Sequence, residues 1–248
     1  MTSIPPATPL LPSVSIVTIC RNAAGGIERT LRSVAEQDYP VLEHVVIDGA
    51  STDGTLAILE RHRGRIGHLT SEPDRGIAHA FNKGIAASRG EWLLMLNAGD
   101  RLCGHGALRR LATAGEGRRI VSARARCGGR LLPRYRVRPW QGLLLRAHLA
   151  HQATLVHRAV YEALGGYDEA FRIRMDLDFF LRALPREPLA VLDDVLAELE
   201  PGGVSGTQFD AHWAEGRRAL AKNRCGAWTR LQFEAFFLAL SLERRLRA

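Results

Sequence analysis

From residue 14 to residue 100 the apolar positions alternate between two periods. Val14-Ser-Ile-Val-Thr-Ile-Cys20 is a short β-branched run and predicts a buried strand. Gly25-Gly26 breaks it, after which Ile27, Leu31 and Val34 recur at helical spacing within a helix predicted over 27–37. Residues 43–48 predict a second strand, 49–51 a turn, and Thr52 or Asp53 caps a helix running to about residue 62. A short strand over 66–69 follows. The helix predicted over 76–88 carries Ile77, Ala80, Phe81 and Ile85 on one face, and a fourth strand over 91–96 ends at Asn97-Ala-Gly-Asp100. The second half is less regular. It predicts strands over 120–126 and 130–137 around Gly128-Gly129, a strand over 152–157, a helix over 159–164 stopped by Gly165-Gly166, and a helix over 176–184. From His212 onward the pattern is helical and basic, with Leu231, Phe233, Phe236, Phe237, Leu240 and Leu242 apolar and Arg244, Arg245 and Arg247 closing the chain.

Strands separated by helices of this length imply βαβ units. The expected fold class is therefore α/β: a Rossmann-like, mostly parallel sheet flanked by helices, with a helical C-terminal extension. The expected division is a flexible lead over 1–12, one α/β domain over 13–205, and a basic helical extension over 206–248. Ligands of such sheets bind beyond the carboxyl ends of the strands. Polar residues gather there: Arg21 and Asn22 after the first strand, Asp48 ending the second, Asn97 and Asp100 after the fourth.

Composition narrows the choice of function. A chain of 248 residues suits one sizeable domain, and no apolar run is long enough for a membrane span. Residues 1–12 hold four prolines and no charge, without the basic start and apolar core of a secretory signal, so a cytoplasmic location is expected. Cys20, Cys103, Cys127 and Cys225 are scattered, which argues against a zinc ribbon or a disulfide framework. A net charge of +8 favours anionic partners, with arginines crowding 109–138 and 217–247. No G-x-G-x-x-G follows the first strand and no G-x-x-x-x-G-K-[ST] occurs, which argues against a dinucleotide dehydrogenase or P-loop ATPase. No RNA-binding or helix-turn-helix signature accompanies the charge, so no nucleic-acid partner is expected.

Six blocks, in register, then carry a resemblance. They are Val14-Ser-Ile-Val-Thr-Ile-Cys-Arg-Asn22, Val46-Ile-Asp-Gly-Ala-Ser-Thr-Asp-Gly-Thr55, and Glu72-Pro-Asp-Arg-Gly-Ile-Ala-His-Ala-Phe-Asn-Lys-Gly-Ile85. Leu96-Asn-Ala-Gly-Asp100, His151-Gln-Ala-Thr154, and Gly165-Gly-Tyr-Asp-Glu-Ala-Phe171 with Met175-Asp-Leu-Asp178 complete the set. Together they resemble glycosyltransferase family 2 with its GT-A fold, in the flavour of bacterial enzymes building capsule, exopolysaccharide or lipopolysaccharide. The resemblance implies a nucleotide-sugar donor, with a UDP-sugar expected, a glycan or lipid-linked glycan acceptor, and a divalent metal, Mn2+ or Mg2+, on the donor diphosphate.

Each block has a chemical reason. A divalent cation neutralises the diphosphate leaving group, and a hard cation takes oxygen ligands. Asp100 is the candidate metal ligand. The family usually shows two or more acids here, whereas this chain has Asn97-Ala-Gly-Asp100. By resemblance Asp48 faces the base, Thr18, Arg21 and Asn22 touch the nucleoside, and Asp74, Arg75, Asn82 and Asn97 line the donor side, with Arg75 suited to a phosphate. Asn82 also suits a structural tie between loops, and Asp53 suits a helix cap. An inverting transfer needs a base for the acceptor hydroxyl. The family's acidic pair falls on Met175-Asp176, which assigns Asp176 as catalytic base and Asp178 as the fallback. His151 and Gln152 are expected near the acceptor or the metal. The basic, aromatic C-terminal segment suggests peripheral contact with the inner face of an anionic membrane. The rival reading is a catalytically degenerate, nucleotide-sugar-binding partner subunit.

Overall fold

The computed structural model describes residues 11–133, 148–203 and 207–245. Part of the strand expected over 130–137 and part of the arginine-rich stretch fall outside the described residues, as do most of the expected lead and residues 246–248.

The N-terminal half follows the periodicity. Strands β1 (Val14–Cys20), β2 (Leu42–Asp48), β3 (His68–Ser71) and β4 (Trp92–Asn97) alternate with helices α1 (Ile27–Ala35), α2 (Thr55–Arg61) and α3 (Ile77–Ala87). β1 pairs in parallel with β2 and with β4, and β2 pairs in parallel with β3. The period-2 alternation decides what each face buries. Val17, Ile19, Val45, Ile47, Leu93 and Met95 face α3 and its Phe81. Val14, Ile16, Leu94 and Leu96 face the opposite layer with α4 (Ala107–Thr113).

The sheet is not mostly parallel beyond that point. Short β5 (Arg101–Leu102), β6 (Ile120–Cys127), β7 (Arg130–Leu132), β8 (Thr154–His157) and β9 (Leu189–Leu199) extend it to the order β3-β2-β1-β4-β8-β6-β9-β5, with β7 on β6. β8 is antiparallel to both β4 and β6, β5 is antiparallel to β9, and β9 is parallel to β6. β9 went unpredicted because Leu-Ala-Val-Leu-Asp-Asp-Val-Leu-Ala-Glu-Leu has no strand alternation and several poor strand formers. Its position between β6 and β5 supplies the pairing that overrides propensity.

Helices α5 (Arg158–Leu164) and α6 (Met175–Ala183) cover the α3 side, followed by α7 (Phe209–Lys222) and α8 (Ala227–Arg245). Ala219 and Leu220 of α7 and Phe233 and Phe237 of α8 share one cluster with Phe179 and Phe180 of α6. Gly216 lets the helices approach: a Cβ there would overlap the Phe233 ring. Truncating the fully buried Phe233 to Ala should cost about 3–5 kcal/mol. A urea melt should show one transition with a lowered midpoint and unchanged slope if α8 unfolds with the sheet.

Candidate active site

β2 and β3 lie on one side of β1 and β4 on the other, so the strand order reverses between β1 and β4. That reversal opens a crevice at their carboxyl ends. The loop leaving β4 is gripped on its α1 side. The Gly99 N–H donates to Thr30 Oγ1 at 2.9 Å, Thr30 Oγ1 donates to the Asp100 carbonyl at 2.6 Å, and Arg29 Nε donates to the Gly99 carbonyl at 2.9 Å. Gly99 has φ +95, and a Cβ there would overlap the Glu200 carboxylate. Both facts require glycine.

Asp100 is 5% exposed and sits at the centre of the polar contacts. Its Oδ1 accepts from the Glu200 N–H at 2.9 Å, and its Oδ2 accepts from Gln152 Nε2 at 3.0 Å and Asn97 Nδ2 at 3.2 Å. Burial pushes its carboxyl up, opposed by these donors and by His151. The same Asn97 amide lies 3.4 Å from His151 Nε2, and His151 Nδ1 lies 3.4 Å from Asp176 Oδ2. Since the Asn97 NH2 must face Asp100, His151 Nε2 is the acceptor and Nδ1–H points at Asp176. A single polar chain thus runs Asp100–Asn97–His151–Asp176, with the Phe81 ring edge-on to His151 at 5.9 Å.

The donor set limits what cation could sit here. Among the described residues no group of three or more His, Cys, Asp or Glu is placed to hold a metal ion. A carboxylate offers about four lone-pair positions, and Asp100 has committed three. It can therefore give one bond to a cation carried chiefly by substrate phosphates, the usual mode for magnesium-like ions, and it cannot cage one.

Asp176 is the other end of the chain, with its side chain 23% exposed. Burial would raise its carboxyl, but the His151 hydrogen bond, the Arg174 guanidinium and the Leu177 N–H together hold it down at about 2. Arg174 is 7% exposed. It reaches His212 Nε2 of α7 and His148 Nε2, both at 2.9 Å. Burial and the Arg174 charge push His212 down to about 3, so it is a neutral acceptor. Glu215 of α7 accepts the backbone N–H groups of Arg172, Ile173 and Arg174, fixing the turn into α6. Met175, at the family's first-acid position, is buried in the core.

Several expected site residues have other work. Thr18 is wholly buried and its hydroxyl pairs with His44 Nε2 at 2.9 Å. Asp48 is also wholly buried. Its oxygens accept from the Ser51 N–H and hydroxyl, the Ser71 hydroxyl and Cys20 Sγ. Burial opposes ionisation there, yet these donors hold its carboxyl below the usual range. Asp48 therefore anchors the loop after β2 through these contacts. Asn22, at φ +50, accepts the Thr52 N–H at 2.9 Å and stitches that loop to the end of β1. Asn82 is a clamp: its amide donates to the Tyr167 carbonyl at 2.9 Å and accepts the Tyr167 N–H at 2.8 Å. The exposed Arg75 is paired with Glu169 at 2.7 Å, so a phosphate would have to displace that carboxylate. Asp178 is wholly buried among Arg182, Lys222 and Asn223, which removes it as a fallback base. Arg21 and Asp74 converge on Gly49, where a Cβ would overlap the Asp74 carboxylate and crowd the Arg21 side chain.

The sequence model of the family described as Glycosyl transferase family 2 matches residues 15–166. The chain belongs to glycosyltransferase family 2. It is similar to an uncharacterized glycosyltransferase of Mycobacterium tuberculosis, 37% identical over 202 residues covering 78% of this chain and 77% of the relative. It is also similar to a PGL/p-HBAD biosynthesis glycosyltransferase of Mycobacterium bovis, 31% identical over 211 residues covering 80% and 81%. Among solved structures it superposes on S. aureus TarS 1–349 in complex with UDP with a TM-score of 0.69, at 19% identity over 91% of this chain and 70% of that one. The mannosyltransferase of Pyrobaculum calidifontis in complex with GDP-Man and Mn2+ gives a TM-score of 0.65, at 23% identity over 94% and 75%. The fold of this glycosyltransferase is GT-A, a mixed α/β architecture with a curled sheet.

Glu200, Arg174, His148 and His212 had no signal in the sequence. They lie far from the motif blocks or outside any motif, and only the antiparallel return of β9 and the docking of α7 bring them in. Asp100→Ala should cost about 3 kcal/mol in a chemical melt, because three buried N–H donors lose their acceptor. Asp176 has a depressed carboxyl, so its contribution is present above the ordinary value of 3.8 and is lost as pH falls toward about 2. The stability gap between wild type and Asp176→Asn should therefore be widest above pH ~4 and close toward pH ~2 in urea titrations.

Proposed function

We propose that this chain is an inverting glycosyltransferase that moves a hexose-type sugar from a nucleotide-diphosphate donor to a hydroxyl of a lipid-linked glycan during bacterial surface polysaccharide synthesis. The observation that carries the reading is the polar chain joining Asp100 to Asp176 through Asn97 and His151 at the mouth of the β1–β4 crevice. It gives an ionised carboxylate in a fixed orientation beside the loop where this family handles the donor diphosphate. The acceptor oxygen attacks the anomeric carbon, the bond from that carbon to the phosphate oxygen breaks, and the nucleoside diphosphate leaves with the electron pair. The acceptor proton passes to Asp176. A carboxylate this acidic is a weak base, so the proton leaves late, once bond formation has acidified the hydroxyl.

The relatives support the acceptor class. One is named for PGL/p-HBAD biosynthesis, and TuaG of Bacillus subtilis, 36% identical over 93 residues, is named for putative teichuronic acid biosynthesis. TarS has been solved with UDP and with UDP-GlcNAc, which favours a UDP-sugar as donor. A divalent cation, manganese or magnesium, held by the donor phosphates would take the remaining lone pair of Asp100 and neutralise the leaving group. Arg21 and Asp74, converging at Gly49, are positioned for the nucleoside. In this reading the enzyme works in the cytoplasm, where nucleotide sugars are made.

Asp176→Asn should abolish transfer, by roughly 100-fold or more, and leave nucleotide binding intact. A thermal-shift screen of UDP, GDP, CDP and dTDP, each with and without Mn2+ or Mg2+, should show UDP stabilising the wild type and Asp176→Asn equally. A metal increment that disappears in Asp100→Asn puts the cation on Asp100, and an increment that survives leaves Asp100 as a loop anchor. Near-normal turnover in Asp176→Asn overturns the base assignment. Binding of a diphosphate with neither sugar transfer nor donor hydrolysis makes the chain a non-catalytic donor-binding subunit.

A further inference from the structure

Helix α8 buries one side and leaves the other bare. Phe233 and Phe237 are wholly buried, and Phe236 packs against the same cluster. At 3.6 residues per turn the opposite side carries Trp228, Leu231, Ala235, Leu238 and Leu242. The four large members are 70%, 60%, 53% and 60% exposed, and they make up all but one of the large hydrophobic residues exposed among the described residues. Scattered exposed leucines need no explanation, but a continuous stripe along a helix does.

The surroundings of the stripe choose its partner. No residue of the stripe is charged. Arg224, just before α8, and Arg230, on its first turn, are exposed, as is Arg218 on α7, and among the described residues no carboxylate pairs with these three, whereas Arg217 is paired with Glu234. The acids nearby are already committed. Glu234 is held by Arg217 and the Trp213 indole, and Glu215 by three backbone N–H groups. Asp168 and Asp178 are taken by Lys222. The face is thus an apolar stripe with exposed arginines, Arg224 and Arg230, at its N-terminal end. A second copy docked through it would set arginine against arginine. An anionic lipid surface accepts both features, since the stripe enters the acyl boundary, the tryptophan sits at headgroup depth and the arginines meet phosphates. Among the described residues no helix is long and apolar enough to cross a membrane, so the contact is peripheral.

We infer that the outer face of α8 is a docking surface for an anionic lipid bilayer, and that docking turns the acceptor side of the site toward the membrane. The inner face of the same helix supplies the link. Phe236 packs on His148 at 5.5 Å between ring centroids, His148 accepts from Arg174, and Arg174 precedes the turn of helix that carries Asp176. A helix lying in the headgroup plane therefore holds the candidate base within a few side chains of the lipid surface. The docking stands on the stripe and its charge, and only its usefulness rests on the lipid-linked acceptor proposed above.

The test is co-sedimentation of the full chain with phosphatidylcholine vesicles and with vesicles containing phosphatidylglycerol. Wild type should bind the anionic vesicles and lose most of that binding in high salt. Leu231→Gln/Leu238→Gln should weaken binding by roughly tenfold or more, and Arg224→Gln/Arg230→Gln should remove the preference for phosphatidylglycerol. All these substitutions are at exposed positions, so melting temperatures and UDP-induced shifts should stay at wild-type values. That readout also separates failure of the docking from failure of the donor reading. Equal binding by wild type and the leucine variant overturns the inference, as does no binding by wild type. A dimer in light scattering that the leucine variant converts to monomer, without vesicle binding, assigns the stripe to a second copy and also overturns it.

Discussion

A carboxylate almost sealed from water is tolerable only if its oxygens are supplied with donors. Asp100 meets that condition with three N–H groups from three places in the chain: the end of β4, the segment entering β8, and the residue after β9. Those places span a hundred residues of sequence, so the crevice cannot form until the antiparallel strands have joined the parallel half. The constraint orders the rest of the site. Asn97, once committed to Asp100, dictates which nitrogen of His151 carries the proton, and that nitrogen aims at Asp176.

Around this anchor the molecule divides its labour between rigid stitches and open reach. Asn22, Asp48 and Ser51 knit together the loops after β1 and β2, spending their polar atoms on each other. That knitting leaves Arg21 and Asp74 at the rim around Gly49, where close approach depends on the missing side chain. On the other side α7 contributes Glu215 and His212 to the turn before Asp176, so the C-terminal helices help shape the site and do more than cover the sheet.

How legible all this was follows from where the information sits. The four parallel strands were readable because each is a short apolar run bounded by turn residues, and the in-register motif blocks placed their polar ends together. The blocks also singled out Asp100, His151 and Asp176, which the structure joins through Asn97 in one polar chain. β9 was not, since its sequence carries little strand character and its conformation is imposed by neighbours on both sides. The buried partners of Thr18 and Asp48 were not legible for a related reason, and the two readings of Asn82 could not be told apart. A polar residue in a motif looks the same whether it faces a ligand or satisfies a buried partner, and only the positions of His44, Ser71 and Tyr167 distinguish the two. Arg174 and Glu200 matter through partners distant in sequence, which a linear reading does not see.

The Asn82 clamp has a bearing on how the turn before Asp176 is held. Donating to the carbonyl and accepting from the N–H of one residue, Tyr167, the Asn82 side chain copies the pairing of a strand neighbour. It thereby ties α3 to the segment that leads into the helix bearing Asp176, and Arg75, just before α3, adds an exposed ion pair with Glu169 of the same segment. Segments joined in this way hold the turn into α6 in register with α3. A change at residue 82 would therefore be felt at Asp176, although the two side chains share no contact, because the backbone around Tyr167 lies between them.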